Sequence, residues 1–422
     1  MIWIILTIVC ISLVLSYIKF KTWGNPYTVF NILWICITIL LIKGDKFVYS
    51  PSKIAILCIL IGIFGFNLSI FIPRIKFSKK KAKSLIKDRY YLNRKRAYFI
   101  SIFILIFSLQ DFIKTILLVL SGYSFSEIRN VYFAVSGFDS VLMYYFKEFV
   151  ISPLRYVVIV SAIISLFCYK KKNIGLLINA LLLIVFQAIN SGGRYILMNS
   201  IFMFICGYFL FGDKKKIEKK KKYGLICIIT IAFAIIIYLT NQRTTYLARN
   251  MTVLERLYNT IYQYFAGSVT YLGKIIEKNP WIEGSTYGIN FIAGFSRILF
   301  VILTFLRILP YPQILNIIGM YACEELKIGP YTFYNAMPTI FGYFYIDGGL
   351  ILVFIESLIF GYICKILYKF ANKNNLFFSA CYIIIFVQIC NSSTRWFFYA
   401  IDYSLAFFYL RAVICPIKKR KY

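Results

Sequence analysis

Ile54-Ala-Ile-Leu-Cys-Ile-Leu-Ile-Gly-Ile-Phe-Gly-Phe-Asn-Leu-Ser-Ile-Phe-Ile-Pro73 runs for twenty residues without a charge, and the stretch after it, Arg74 to Arg96, carries eleven Lys or Arg. Twenty helical residues rise about 30 Å, the thickness of a bilayer's hydrocarbon core. The pair reads as a membrane span running into a basic loop. Comparable apolar runs on either side predict spanning helices at about 2–18, 27–42, 54–73, 97–120, 149–168, 174–189, 195–211, 224–240, 349–367, 376–390 and 397–414.

Composition points the same way. Of 422 residues 60% are apolar and 15% charged, against about one quarter charged in a soluble domain. The fold class expected is all-α: a polytopic integral membrane helical bundle, residues 1–422 forming a single membrane domain of about 11 transmembrane helices. Chemistry is narrowed by what the chain lacks. It has no histidine and only 16 carboxylates beside 48 Lys and Arg, which excludes Ser-His-Asp triads, His-ligated metals and imidazole bases. Asp-x-Asp, Gly-x-Gly-x-x-Gly and Gly-x-x-x-x-Gly-Lys are missing too, which argues against nucleotide-driven chemistry. The eleven cysteines lie almost all in apolar runs without a Cys-x-x-Cys pair, so they read as small hydrophobes. No metal and no cofactor are expected.

A net charge of +32 raises the question of nucleic acid, but the cations cluster in alternate links between apolar runs. The positive-inside rule makes those links cytoplasmic. They include the basic loops 74–96 and 212–223 and the tail 415–422, and they face anionic lipid rather than nucleic acid. The N-terminus is then outside and the C-terminus inside. The first helix has no basic n-region or small-residue cleavage site and reads as a retained span. Outside lie a loop at 121–148 and a large periplasmic loop at 241–348. Within the latter, the apolar stretch Ile289 to Leu309 is interrupted by Gly294, Arg297 and Arg307. It is expected to be an interfacial or re-entrant outer helix. No internal repeat relates the halves of the chain, which weighs against an inverted-repeat transporter.

Ten of the fifteen arginines lie in the outer loops or within spans. Arginine's planar fork grips phosphate bidentately and stays charged. Arg129, Arg155, Arg194 in Asn190-Ser-Gly-Gly-Arg194, Arg243 in Asn241-Gln-Arg-Thr244, and Arg395 in Ser392-Ser-Thr-Arg395 sit where a cavity between outer helix ends would open. Each is alternatively an interface anchor reaching to headgroups. A second constellation is Tyr331-Thr-Phe-Tyr-Asn-Ala-Met-Pro338-Thr-Ile-Phe-Gly-Tyr-Phe-Tyr-Ile-Asp347-Gly-Gly349. Its rings can stack on sugars, and Asp347 can accept a hydroxyl proton or serve instead as the N-cap of the next helix. Inside the spans, Asp111 and Lys114 share a helix face as a neutralised pair, while Glu356 and Asp402 have no local partner.

The arrangement of many spans, the Ser191-Gly-Gly-Arg194 turn, one large outer loop and the Tyr334-to-Gly348 run into a late helix resembles the O-antigen polymerase family, the Wzy-type oligosaccharide repeat-unit polymerases. The resemblance implies a metal-independent glycosyltransferase at the outer face of the bacterial cytoplasmic (inner) membrane. It would polymerise polyprenyl-diphosphate-linked oligosaccharide into O-antigen or capsular polysaccharide. Membrane lipids, a chain-length regulator and a repeat-unit flippase are its expected partners. On this reading Arg194, Arg243 and Arg395 clamp the diphosphate, with Arg129 also in the binding set. Asp347 with Tyr334 handles the acceptor, and Glu148 is the other candidate base. The alternative is a flippase for the same lipid-linked unit, which would need no hundred-residue outer segment.

Overall fold

The computed structural model describes residues 1–73, 90–123, 127–128, 140–169, 173–191, 193, 195–212, 252–322, 324–334, 338–372 and 375–417. These residues are mostly helical, with two short antiparallel ribbons among them. Among the described residues five helices are long and apolar enough to cross a membrane: Ile2–Phe20, Pro26–Lys43, Arg94–Leu120, Leu142–Cys168 and Ile340–Ala371. Shorter apolar helices at Lys53–Leu68, Ile174–Asn190, Tyr195–Phe211 and Leu376–Cys390 coincide with expected segments, whereas 224–240 lies outside the described residues. Helix starts follow local chemistry. Asn25, with Pro26 behind it, accepts the Thr28 N–H, and Ser52, Asn93 and Asn173 cap their helices in the same way.

The chain divides into two compact units. The first comprises Met1–Lys76, Met251–Lys369 and Gln388–Ile401. In it the helices Lys53–Leu68 and Ile340–Ala371 meet at glycines. A Cβ on Gly62 would sit 2.2 Å from the Phe341 ring, and on Gly65 2.6 Å from the Phe354 carbonyl oxygen. Only glycine permits this approach, the usual solution for helices packed in lipid. Two buried amides pair inside the unit. Asn31 and Asn67 exchange amide hydrogen bonds at 2.8 and 3.0 Å. Ile2–Phe20 leaves Trp3, Ile11, Val14 and Ile18 exposed, a face suited to lipid and not to water.

Side chains tie this unit together at two ends. At one, Lys19 donates to the Ile70 carbonyl, and buried Lys365 donates to the carbonyls of Ser69, Ile70 and Ile72 at 2.7 to 3.0 Å. At the other, the link after Lys43 meets the long segment beyond residue 252. The Tyr49 N–H donates to Ile328, Thr332 to Phe47, Thr270 to Tyr49 and Tyr258 to Gly44.

The second unit comprises Phe77–Asn250, Phe370–Val387 and Asp402–Tyr422. Asp111 forms its ion pair with Lys147 at 2.7 Å, reaching a different helix from the one that carries Lys114. The Tyr156 and Tyr403 rings lie 4.3 Å apart, and Asn199 donates to the Tyr403 hydroxyl. Strand Tyr90–Leu92 pairs antiparallel with Ile414–Pro416. The end of the basic segment 74–96 and the chain's tail therefore lie side by side.

Several boundaries differ from expectation: the helix expected from 149 begins at Leu142, and the one expected to reach 73 ends at Leu68. The helix expected to begin at 349 begins at Ile340, because the aromatic run before Asp347 is buried and helical. The one expected from 397 begins at Ile401, after a 3₁₀ turn at Phe397–Tyr399. The interrupted stretch 289–309 holds a short helix, Ala293–Phe305, exposing Phe295, Leu299, Ile302 and Phe305. Arg307, with φ of 58°, follows its end.

Candidate functional site

Within Ile340–Ala371 the helix breaks at Gly348 and Gly349. Gly349 has a φ of 62°, and a Cβ there would lie 1.8 Å from Glu283 Oε1. The left-handed backbone demands glycine, and its bare Cα leaves room for the Glu283 carboxylate. The break is where the first unit gathers its polar groups.

Asp347, just before the break, is buried. Its Oδ1 accepts the Thr286 hydroxyl at 2.5 Å and the Asn290 N–H at 2.9 Å, and Oδ2 accepts the Phe291 N–H at 2.9 Å. Asn290 also donates its side-chain amide to Thr286. Asp347 thus caps the helical turn leading into Ala293–Phe305, and not the helix that follows it in sequence. A carboxylate at a helix N-terminus satisfies orphan N–H groups and complements the helix dipole. Glu356, which showed no local partner in the sequence, is buried beyond the break in the same helical segment. Three donors thus engage both carboxylate oxygens of Asp347.

Arg395 is brought to the same region. Its half-buried guanidinium lies 4.6 Å from the Phe397 ring centroid. Gln388 fixes the turn by donating to the Arg395 carbonyl and accepting the Phe397 N–H. The adjacent Trp396 stacks on Phe291 with centroids 5.3 Å apart, and its indole N–H donates to the Phe291 carbonyl. Phe291 therefore links the anchor of Asp347 to the turn of Arg395. A further cation, Arg297, sits over the Tyr399 ring at 3.8 Å and donates to Tyr399 and to the Leu315 carbonyl. In the sequence it reads only as an interruption, because its partner is 102 residues away.

Glu283 is exposed, accepts the Tyr345 hydroxyl at 3.1 Å on Oε2, and lies against Gly349 through Oε1. No motif in Trp281-Ile-Glu-Gly284 marks it. Tyr334 stands apart from the break, buried on a two-stranded ribbon with its ring edge-on to Tyr271 at 5.2 Å. Glu148 belongs to the second unit, half-buried in the π-helical turn Lys147–Ile151. Arg129, Arg194 and Arg243 lie outside the described residues. Among the described residues no group of three His, Cys, Asp or Glu side chains has a metal-binding arrangement.

No protein-family model, curated protein or solved structure matches this chain.

Proposed function

We propose that the protein is a membrane glycosyltransferase that polymerises polyprenyl-diphosphate-linked oligosaccharide units at the outer face of a bacterial cytoplasmic membrane, through about eleven spans. The observation that carries this reading is the helix break in the Tyr334-to-Gly349 run. There Glu283 and the turn of Arg395 meet an anchored segment of the long loop. The two ends of the first unit support the sidedness. Links read as cytoplasmic are tied to one another through Lys19 and Lys365, and links read as outer are tied through Tyr49, Tyr258 and Thr332.

The chemistry asks little of the protein. The anomeric carbon is already activated by diphosphate, so the site must steady the leaving anion and orient a hydroxyl. Arg395 holds the anion. One preorganised donor of this kind is worth about 100 to 1,000-fold in rate. Asp347, its oxygens occupied, keeps residues 286–291 in position and does not itself take the proton.

The test is reconstitution of the protein in liposomes with a polyprenyl-diphosphate-linked oligosaccharide. Products of two or more repeats are expected. Movement of the unit between leaflets without elongation would instead identify a flippase.

A further inference from the structure

The polymerase reading leaves open which group accepts the acceptor's proton, and the geometry points to Glu283 as that general base. The inference rests on the proposed transfer reaction. The chain has no histidine, so a carboxylate is the natural candidate. In the first unit most described carboxylates are already engaged. Asp45 accepts the Phe47 N–H in its turn, and Glu255 closes a capping box. Glu277 pairs with Lys274 and Glu324 with Lys278. Both oxygens of Asp347 already accept hydrogen bonds, and Glu356 is buried.

Glu283 differs on each count. It is open to solvent, yet held: the Tyr345 hydroxyl fixes Oε2, and the missing side chain of Gly349 makes room for Oε1, to which no described residue donates. Exposed Glu325 has no such support; no described residue fixes its carboxylate. Two exposed rings, Trp281 and Tyr287, lie within four residues of Glu283, and aromatic rings offer apolar faces to a sugar. In the step inferred, Glu283 takes the proton of the acceptor hydroxyl as its oxygen bonds to the donor's anomeric carbon. The bond from that carbon to the diphosphate breaks, and polyprenyl diphosphate leaves with the electron pair. Tyr345 and Gly349 are positioning residues.

The experiment compares wild type, Glu283→Gln, Glu283→Asp and Glu283→Ala in the liposome elongation assay, with binding of the lipid-linked unit measured separately. Glu283→Gln keeps the acceptor for Tyr345 and is expected to lose about 100-fold or more in elongation rate with binding retained. Glu283→Asp keeps a carboxylate and should fall between it and wild type. Added formate should restore part of the rate of Glu283→Ala. Wild-type rates in both Glu283→Gln and Glu283→Ala, or a loss confined to binding, would overturn the assignment. Should Glu283→Gln fail to fold, formate rescue of Glu283→Ala decides the matter, and no rescue counts against Glu283. A wild-type protein that does not elongate would sink the underlying polymerase reading instead, so the two failures are distinct.

Discussion

Asp347 Oδ2 accepts the backbone N–H of Phe291 at 2.9 Å across 56 residues of chain, and Oδ1 takes the N–H of Asn290. Removing the carboxylate leaves buried donors unmet, each costing about 1–3 kcal/mol. Asp347→Ala is therefore expected to lower the melting temperature in detergent and to speed amide exchange at Asn290 and Phe291. Asp347→Asn, which keeps one acceptor oxygen, should fall between. Exchange at Phe291 unchanged in Asp347→Ala would refute the anchor.

Gly62 faces the Phe341 ring so closely that a methyl group would overlap it. Ring and helix must separate to accept Gly62→Ala, and overpacking of this kind costs about 1–3 kcal/mol. Gly122, with nothing within 4 Å of a would-be Cβ, is the local contrast, although its φ of 88° adds strain of its own. Thermal unfolding of Gly62→Ala beside Gly62→Ser should show graded loss with side-chain size. Equal midpoints would mean the two helices do not meet there.

The helices were legible where an apolar run is long and bounded by polar residues, as at Ile174–Asn190 and Tyr195–Phe211. Their signal is local, and burial in lipid or protein demands the same composition. Residues 340–347 were not legible as helix, because Gly342 and the Gly348-Gly349 pair suggest a loop and the aromatic run fits an interface belt equally well. Asp347 stood out in the sequence, but its partners did not. Thr286, Asn290 and Phe291 come from a loop with no periodicity, and nothing local joins them to a helix about sixty residues on. Arg297 was missed because its ring partner lies in another segment.

Sidedness gives a prediction that needs no substrate. Tyr287 and Trp23 are both exposed, and they belong to links assigned to opposite faces. Against the background of the unsubstituted parent, Tyr287→Cys should react with a membrane-impermeant maleimide in intact cells. Trp23→Cys should react only after permeabilisation. Labelling of both in intact cells, or of Trp23→Cys alone, would reverse the positive-inside assignment and remove the outer site with it.

The helix Val253–Tyr262 opens with a reciprocal cap: the Thr252 N–H donates to Glu255 Oε2 at 2.9 Å and the Glu255 N–H to the Thr252 hydroxyl at 3.2 Å. The Thr252 backbone N–H, then its hydroxyl, hold the Glu255 carboxyl below the usual glutamate range. A carboxyl lowered in the folded state contributes stability that is fully present above its unfolded value of about 4.3 and is lost as pH falls through the lower folded value. Acidification below about pH 4 should therefore fray this first turn, read as faster amide exchange at residues 253–256. Thr252→Ala removes the hydroxyl partner but not the backbone N–H, so Glu255 should titrate part of the way back toward its ordinary range in a carbon-labelled sample. An unmoved titration would show that the hydroxyl contributes nothing to the displacement, leaving it to the Thr252 backbone N–H and the charge of Lys46.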